Sequence, residues 1–176
     1  MGHNRRIILP GFKMPFRLPL RRAIATGVGG GLAIAVMVYL AALAEMRLTI
    51  VPFTTSIVLV MAAPESQQSQ PRNIIGGHVI SALCGLGVLE IFGNNSLFAA
   101  LAVGLSIVVM QLTRTLHPPA GINALLMVTE RLSWTFILMP VFSGAVLLVI
   151  FAFTYHRLTM PGSWPRLWWS ANADLG

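Results

Sequence analysis

The stretch Leu116-His117-Pro118-Pro119-Ala120-Gly121-Ile122-Asn123 follows one apolar run, Ser96–Leu112, and opens another, Pro118–Thr129. A proline pair, a glycine and an amide break the helical pattern where the flanking residues are suited to lipid. Broken backbone at bilayer depth is tolerated only where it is buried in protein or lines a cavity. The break is therefore the first place to look for function, and the rest of the chain is read outward from it.

The surroundings are those of an integral membrane protein. Of 176 residues, 56% are apolar and 10% charged, and the mean hydropathy is +0.77. Soluble domains carry about 25% charged residues. The net charge of +7 does not point to nucleic acid, because Arg5, Arg6, Lys13, Arg17, Arg21 and Arg22 all precede the first apolar run. A basic flank of this kind is an orientation signal that faces cytoplasm and anionic lipid. The run Ala23–Ala44 is longer than the core of a secretory leader, so it reads as a retained anchor. Cys84 is the lone cysteine and reads as a buried, inert thiol. No histidine pair falls at ligand spacing with a carboxylate, so neither a metal nor a cofactor is expected.

Four runs have lengths suited to crossing a bilayer: Ala23–Ala44, Asn73–Phe92, Ser96–Leu112 and Ser133–Tyr155. Two shorter runs, Pro52–Ala63 and Pro118–Thr129, would each make about 18 Å of helix, roughly half the hydrocarbon thickness. Both begin with proline, which suits the first turn of a helix. A shift of 66 positions lays Pro52–Met61 on Pro118–Met127. The order of runs predicts an all-α polytopic membrane protein of four full transmembrane helices plus two half-helices. They form an inverted repeat of helix, half-helix, helix, over about 23–92 and 96–158. Residues 1–22 are then a basic cytoplasmic segment, 23–158 a single transmembrane domain, and 159–176 a Trp-rich interfacial tail. If each short run counts as one crossing, both termini, the Pro64–Arg72 loop and the Thr113–His117 turn lie inside, as the positive-inside rule prefers.

A helix N-terminus carries unpaired N–H groups and about half a positive charge. Two half-helices aimed inward from opposite sides would make an anion site near the midplane. Thr54, Thr55 and Ser56 would bring hydroxyls on one side. His117, Pro118, Pro119, Ala120, Gly121 and Asn123 would line the other, with Gly121 allowing close approach and Asn123 giving an amide N–H. Arg47 and Arg114 would stand toward the two mouths, with Arg72 and His78 in the vestibule or gate. Packing accounts compete with each of these. Hydroxyls bond their own backbone, arginines snorkel, His117 caps the half-helix, and His78 packs between helices beside Gly76 and Gly77.

Leu116-His117-Pro118-Pro119-Ala120-Gly121 resembles the signature of the HPP family of small integral membrane proteins. Ala63-Pro64-Glu65-Ser66 with Gln70–His78, and Leu112–Thr115, resemble its other typical segments. The resemblance covers roughly Ala23 to Tyr155. It implies a bacterial inner-membrane transporter or channel with four spanning helices, and relatives linked to nitrite transport make nitrite the implied substrate. The family often has Gly-Ala-Ser where this chain has Thr54-Thr55-Ser56. The expected function is transport of a small anion by a homo-oligomer in the lipid bilayer, without enzymatic activity. A non-transporting membrane subunit and an intramembrane enzyme with Ser56 as nucleophile are the alternatives.

Overall fold

The computed structural model describes residues 19–43, 45 and 50–166. Six helical segments carry the fold among them. They are α1 (Leu20–Leu43), α2 (Ile50–Ala62), α3 (Pro71–Phe92), α4 (Ser96–Leu112), α5 (Gly121–Thr129) and α6 (Trp134–Thr159). Short 3-10 turns at Gln67–Ser69 and Pro118–Ala120 lead into α3 and α5. Local chemistry sets several ends. Pro71 occupies the first turn of α3, where no N–H is missed. Asn95 caps α4 by accepting from the Leu97 N–H at 2.8 Å. Gly93 ends α3 with a φ of 81°. Pro140 lacks the N–H that α6 needs there, and the preceding Met139 is extended (φ −142°, ψ 111°), so α6 is kinked near its start.

Among the described residues, α1, α3 and α6 are the helices long and apolar enough to cross a membrane by length and composition. α4 has 17 residues, about 25 Å at 1.5 Å per residue, which is the short limit for a bilayer span. Pro19 starts α1, its carbonyl accepting from the Arg22 and Ala23 N–H groups, so Arg21 and Arg22 lie in the first turn.

Side-chain ties fix how the helices run. Arg22 pairs with Glu65 at 3.4 Å, and the Tyr155 hydroxyl donates to the Ala25 carbonyl at 2.7 Å. Trp164 Nε1 donates to the Ser69 carbonyl at 2.8 Å, and Arg72 to the Thr113 carbonyl at 3.0 Å. The start of α1, the 63–70 loop, the 113–117 turn and the segment after α6 therefore share one end of the bundle. At the other end Asn94 Nδ2 donates to the Thr129 carbonyl at 3.1 Å. Successive helices thus alternate in direction, and α2 and α5 lie antiparallel. Trp164 is 4% exposed, packed at that end of the bundle; Trp168 and Trp169 lie outside the described residues.

Lipid tails are as apolar as leucine, so close packing, not escape from water, holds such helices together. Glycines supply the close approaches. A β-carbon at Gly85 would lie 2.8 Å from the backbone of Ala124, and one at Gly144 2.5 Å from the Phe53 ring. α5 is seated between α3 and α4, where Val88, Ala99, Ala102, Ala124 and Val128 form one buried cluster. α2 packs through Phe53, Ile57, Val60 and Met61 against Ala33 and Met37 of α1 and Ala145 and Leu148 of α6.

Candidate functional site

The chain Leu116–Asn123 runs along α3, and that contact builds a buried polar cluster. Asn73 Nδ2, on the first turn of α3, donates to the Leu116 carbonyl at 2.9 Å. One turn on, a β-carbon at Gly77 would lie 2.6 Å from His117 Cβ, so only glycine lets the break lie this close. The next residue, His78, faces Asn123. Asn123 Nδ2 donates to His78 Nδ1 at 2.8 Å and to the His78 carbonyl at 3.2 Å. Ser81, a turn further, accepts from the Ala124 N–H at 3.1 Å.

Ser56 of α2 completes the cluster from the opposite side. Its Oγ stands 2.9 Å from His78 Nε2 and 2.9 Å from His117 Nε2. His117 Nδ1 lies 2.7 Å from the Gln68 carbonyl. A carbonyl only accepts, so His117 Nδ1 carries the proton and its Nε2 accepts from the Ser56 hydroxyl. By the same reasoning the His78 carbonyl fixes the Asn123 amide with its nitrogen toward the ring. His78 Nδ1 is then bare, and its Nε2–H donates to Ser56 Oγ. The donors all point one way: Asn123 to His78, His78 to Ser56, Ser56 to His117, His117 to Gln68. Both rings are neutral in this arrangement. The Pro52 carbonyl, 3.2 Å from Ser56 Oγ, is a second acceptor for the same hydroxyl. Ser56, His78, His117 and Asn123 are all 0% exposed, and the Phe53 ring packs on His78 with centroids 4.6 Å apart. Among the described residues Asn123 Oδ1 has no hydrogen-bond partner. A buried amide oxygen left unpaired costs about 1–3 kcal/mol.

This geometry differs from two tips meeting head to head. The start of the Pro118 turn lies beside Ser56, in the middle of α2. The backbone donors expected at that tip are also missing. Pro118 and Pro119 have no N–H, the Ala120 N–H goes to the His117 carbonyl, and the Gly121 N–H to the Pro118 carbonyl. The His117 ring caps nothing.

The segment that builds this cluster lies within the match to a known family. The family described as "HPP, transmembrane region" matches residues 15–165. The chain belongs to that family. Two transmembrane proteins of Dictyostelium discoideum are similar to this HPP chain. One is 37% identical over 149 residues, covering 80% of this chain and 52% of its own. The other is 35% identical over 125 residues, covering 66% and 40%. The HPP chain thus spans about half or less of the curated relatives it matches. No solved structure matches it.

The stretch Leu116–Asn123 brings His117 and Asn123 into the cluster, while Pro118 is exposed and Pro119, Gly121 and the buried Ala120 form the turn between them. Of the hydroxyls, Ser56 joins, Thr54 is half-buried and Thr55 is exposed. Arg114 is exposed and Arg72 half-buried at the arginine-bearing end, away from the polar chain. Arg47 lies outside the described residues. His78, expected at a vestibule or gate, is instead central. Sequence reasoning missed Phe53, Asn73, Ser81 and the Gln68 carbonyl. Asn73 and Ser81 flank His78 at helical spacing on α3, and that stripe was the available signal. Among the described residues no three His, Cys, Asp or Glu side chains gather as a metal site.

Proposed function

We propose that this HPP chain is a transport protein for a small inorganic anion, with nitrite as the first substrate to test. The observation that carries the reading is the Ser56–His78–His117–Asn123 cluster, fully buried at a helix break inside a membrane bundle. Polar groups at such depth are costly and mark solute pathways by default. α2 and α5 contain no acidic or basic side chain that would repel or trap an anion. The cluster is closed by its own hydrogen bonds, which suits a carrier better than an open channel. When α2 parts from α5, the Ser56 hydroxyl and the His78 Nε2–H become donors for an anion, while the Asn123 amide stays on His78 and holds that ring with its Nε2–H toward the opening. Alternation of helix direction supports α1–α2–α3 and α4–α5–α6 as inverted repeats around this site.

Six of the seven arginines among the described residues (Arg21, Arg22, Arg72, Arg114, Arg157 and Arg166) lie at one end, while Glu45, Glu90, Glu130 and Arg131 lie at the other. The arginine end, with both termini, is therefore the cytoplasmic one in this reading, in a bacterial inner membrane. α1 turns Ile24, Val28 and Leu32 outward, a face for lipid or for a second copy of the chain in a homo-oligomer.

Ser56 beside a histidine held by a carbonyl also has the form of a nucleophile, a base and an orienting group. Transport is preferred to catalysis because Ser56 is fully buried and Pro118 and Pro119 bring no oxyanion donors. Liposomes containing only this protein, loaded against nitrite, nitrate, formate and chloride, test the reading. Selective nitrite uptake at least tenfold above protein-free vesicles is expected. Background flux of all four anions by folded protein would leave a non-transporting subunit as the better account.

A further inference from the structure

We infer that the Ser56-bridged histidine pair is a proton relay, so that the anion crosses together with a proton. The inference rests on the transport reading and deepens it. Its basis is the direction of the hydrogen bonds. Every donor from Asn123 to Gln68 points the same way, and the last acceptor, the Gln68 carbonyl, sits in the loop at the arginine end. One serine hydroxyl accepts from one ring and donates to the other, each at 2.9 Å. Such a link passes a proton without any heavy atom moving far.

The step balances. A proton arriving at His78 Nδ1 lets the Nε2–H bond of that ring break and its proton pass to Ser56 Oγ. Ser56 gives its own proton to His117 Nε2, and His117 releases the proton on Nδ1 toward the loop. One proton enters, one leaves, and both rings exchange tautomers. Asn123 supplies the matching change. Its unpartnered Oδ1, brought round by rotation of the amide, accepts from the new Nδ1–H of His78. An otherwise unexplained buried acceptor thus has a use in the second state.

The groups around the pair leave the two rings to each other. Their centroids are 5.2 Å apart. α2 and α5 bring no titratable side chain. On α3, Arg72 points to the Thr113 carbonyl, Cys84 lies nearly two turns beyond His78, and Glu90 is near the far end. On the turn before His117, Arg114 is exposed. In the loop after α2, Glu65 pairs with Arg22. On α6, the titratable side chains Tyr155, His156 and Arg157 are in the last turns, and α4 has none.

The test measures nitrite and protons together in liposomes of the full chain, with potassium and valinomycin holding the voltage at zero. Nitrite exchange at equal pH reports transport, and a trapped pH dye reports coupled protons. Wild type is expected to acidify the lumen in proportion to the nitrite taken up. Ser56→Ala should lower the proton-to-nitrite ratio at least tenfold, and Ser56→Thr, which keeps the hydroxyl, should restore it. Net nitrite uptake by wild type without acidification, or an unchanged ratio in Ser56→Ala, would overturn the relay alone. Absence of nitrite exchange by wild type would instead overturn the transport reading beneath it. Should Ser56→Ala fail to fold or to move nitrite, nitrogen-15 spectra of histidine-labelled wild type decide. The relay requires His117 protonated on Nδ1 and His78 on Nε2, and the same tautomer on both rings would contradict it.

Discussion

The two short helices, α2 and α5, were expected to be copies, and they are held in different ways. α5 is bound to α3 along its whole length. Gly77 and Gly85 give it seats, Asn73 holds the residue before its lead-in, Ser81 takes the Ala124 N–H, and Asn94 reaches the Thr129 carbonyl. α2 lies among apolar side chains of α1, α6 and Ile74 of α3, with Phe53 against Gly144 and the His78 ring, and makes its side-chain hydrogen bonds to the α3–α5 pair through Ser56. Directional polar ties fix one position, whereas dispersion contacts in lipid permit sliding. Under the transport proposal, α2 is then the element that moves and α3–α5 the frame against which it moves.

That contrast is open to attack at its strongest point first. Gly85→Ala puts a β-carbon 2.6 Å from Met127 Cβ and 2.8 Å from the Ala124 backbone, which has little room to shift. Overpacking of this kind costs about 1–3 kcal/mol, read as a lowered thermal midpoint in detergent. Gly87→Ala, with nothing within 4 Å, is the control and should leave the midpoint in place. A milder loss is expected from Asn73→Ala, which removes one bond to the Leu116 carbonyl, about 1 kcal/mol. If Asn73→Ala proves neutral, the claim that polar ties fix α5 loses its footing. Thr55→Val should do least. Thr55 is exposed on the movable helix, so stability should change by no more than about 0.5 kcal/mol and nitrite uptake should match wild type. A large fall in uptake would return Thr55 to the pathway.

Much of this was legible in the sequence. The lengths of Pro52–Ala63 and Pro118–Thr129 announced two truncated helices, and Pro118-Pro119 announced the break. The direction of the helices followed from counting arginines. The shortness of α4 was legible too, because Ser96–Leu112 is only 17 residues long. The site was harder to read because it depends on which turns face one another. His78 and His117 are 39 positions apart, and only the Gly77 contact shows that they meet. One error could have been avoided from the sequence alone. Two consecutive prolines remove two backbone donors, so the Pro118 tip is a poor anion cradle whatever its dipole. The partnership of Ser56 with both rings had no linear signal, since a hydroxyl in a membrane helix usually bonds its own backbone, as Ser56 also does to Pro52.

The most direct test of the central claim, that the buried cluster between α2 and α5 is the transport site, is nitrite exchange at equal pH in liposomes. Wild type and Asn123→Leu would be compared, both first shown to be folded. Wild type is predicted to exchange nitrite at least tenfold faster than protein-free vesicles and Asn123→Leu to fall to that background. Equal exchange by the two proteins would contradict the claim and move the pathway elsewhere in the bundle.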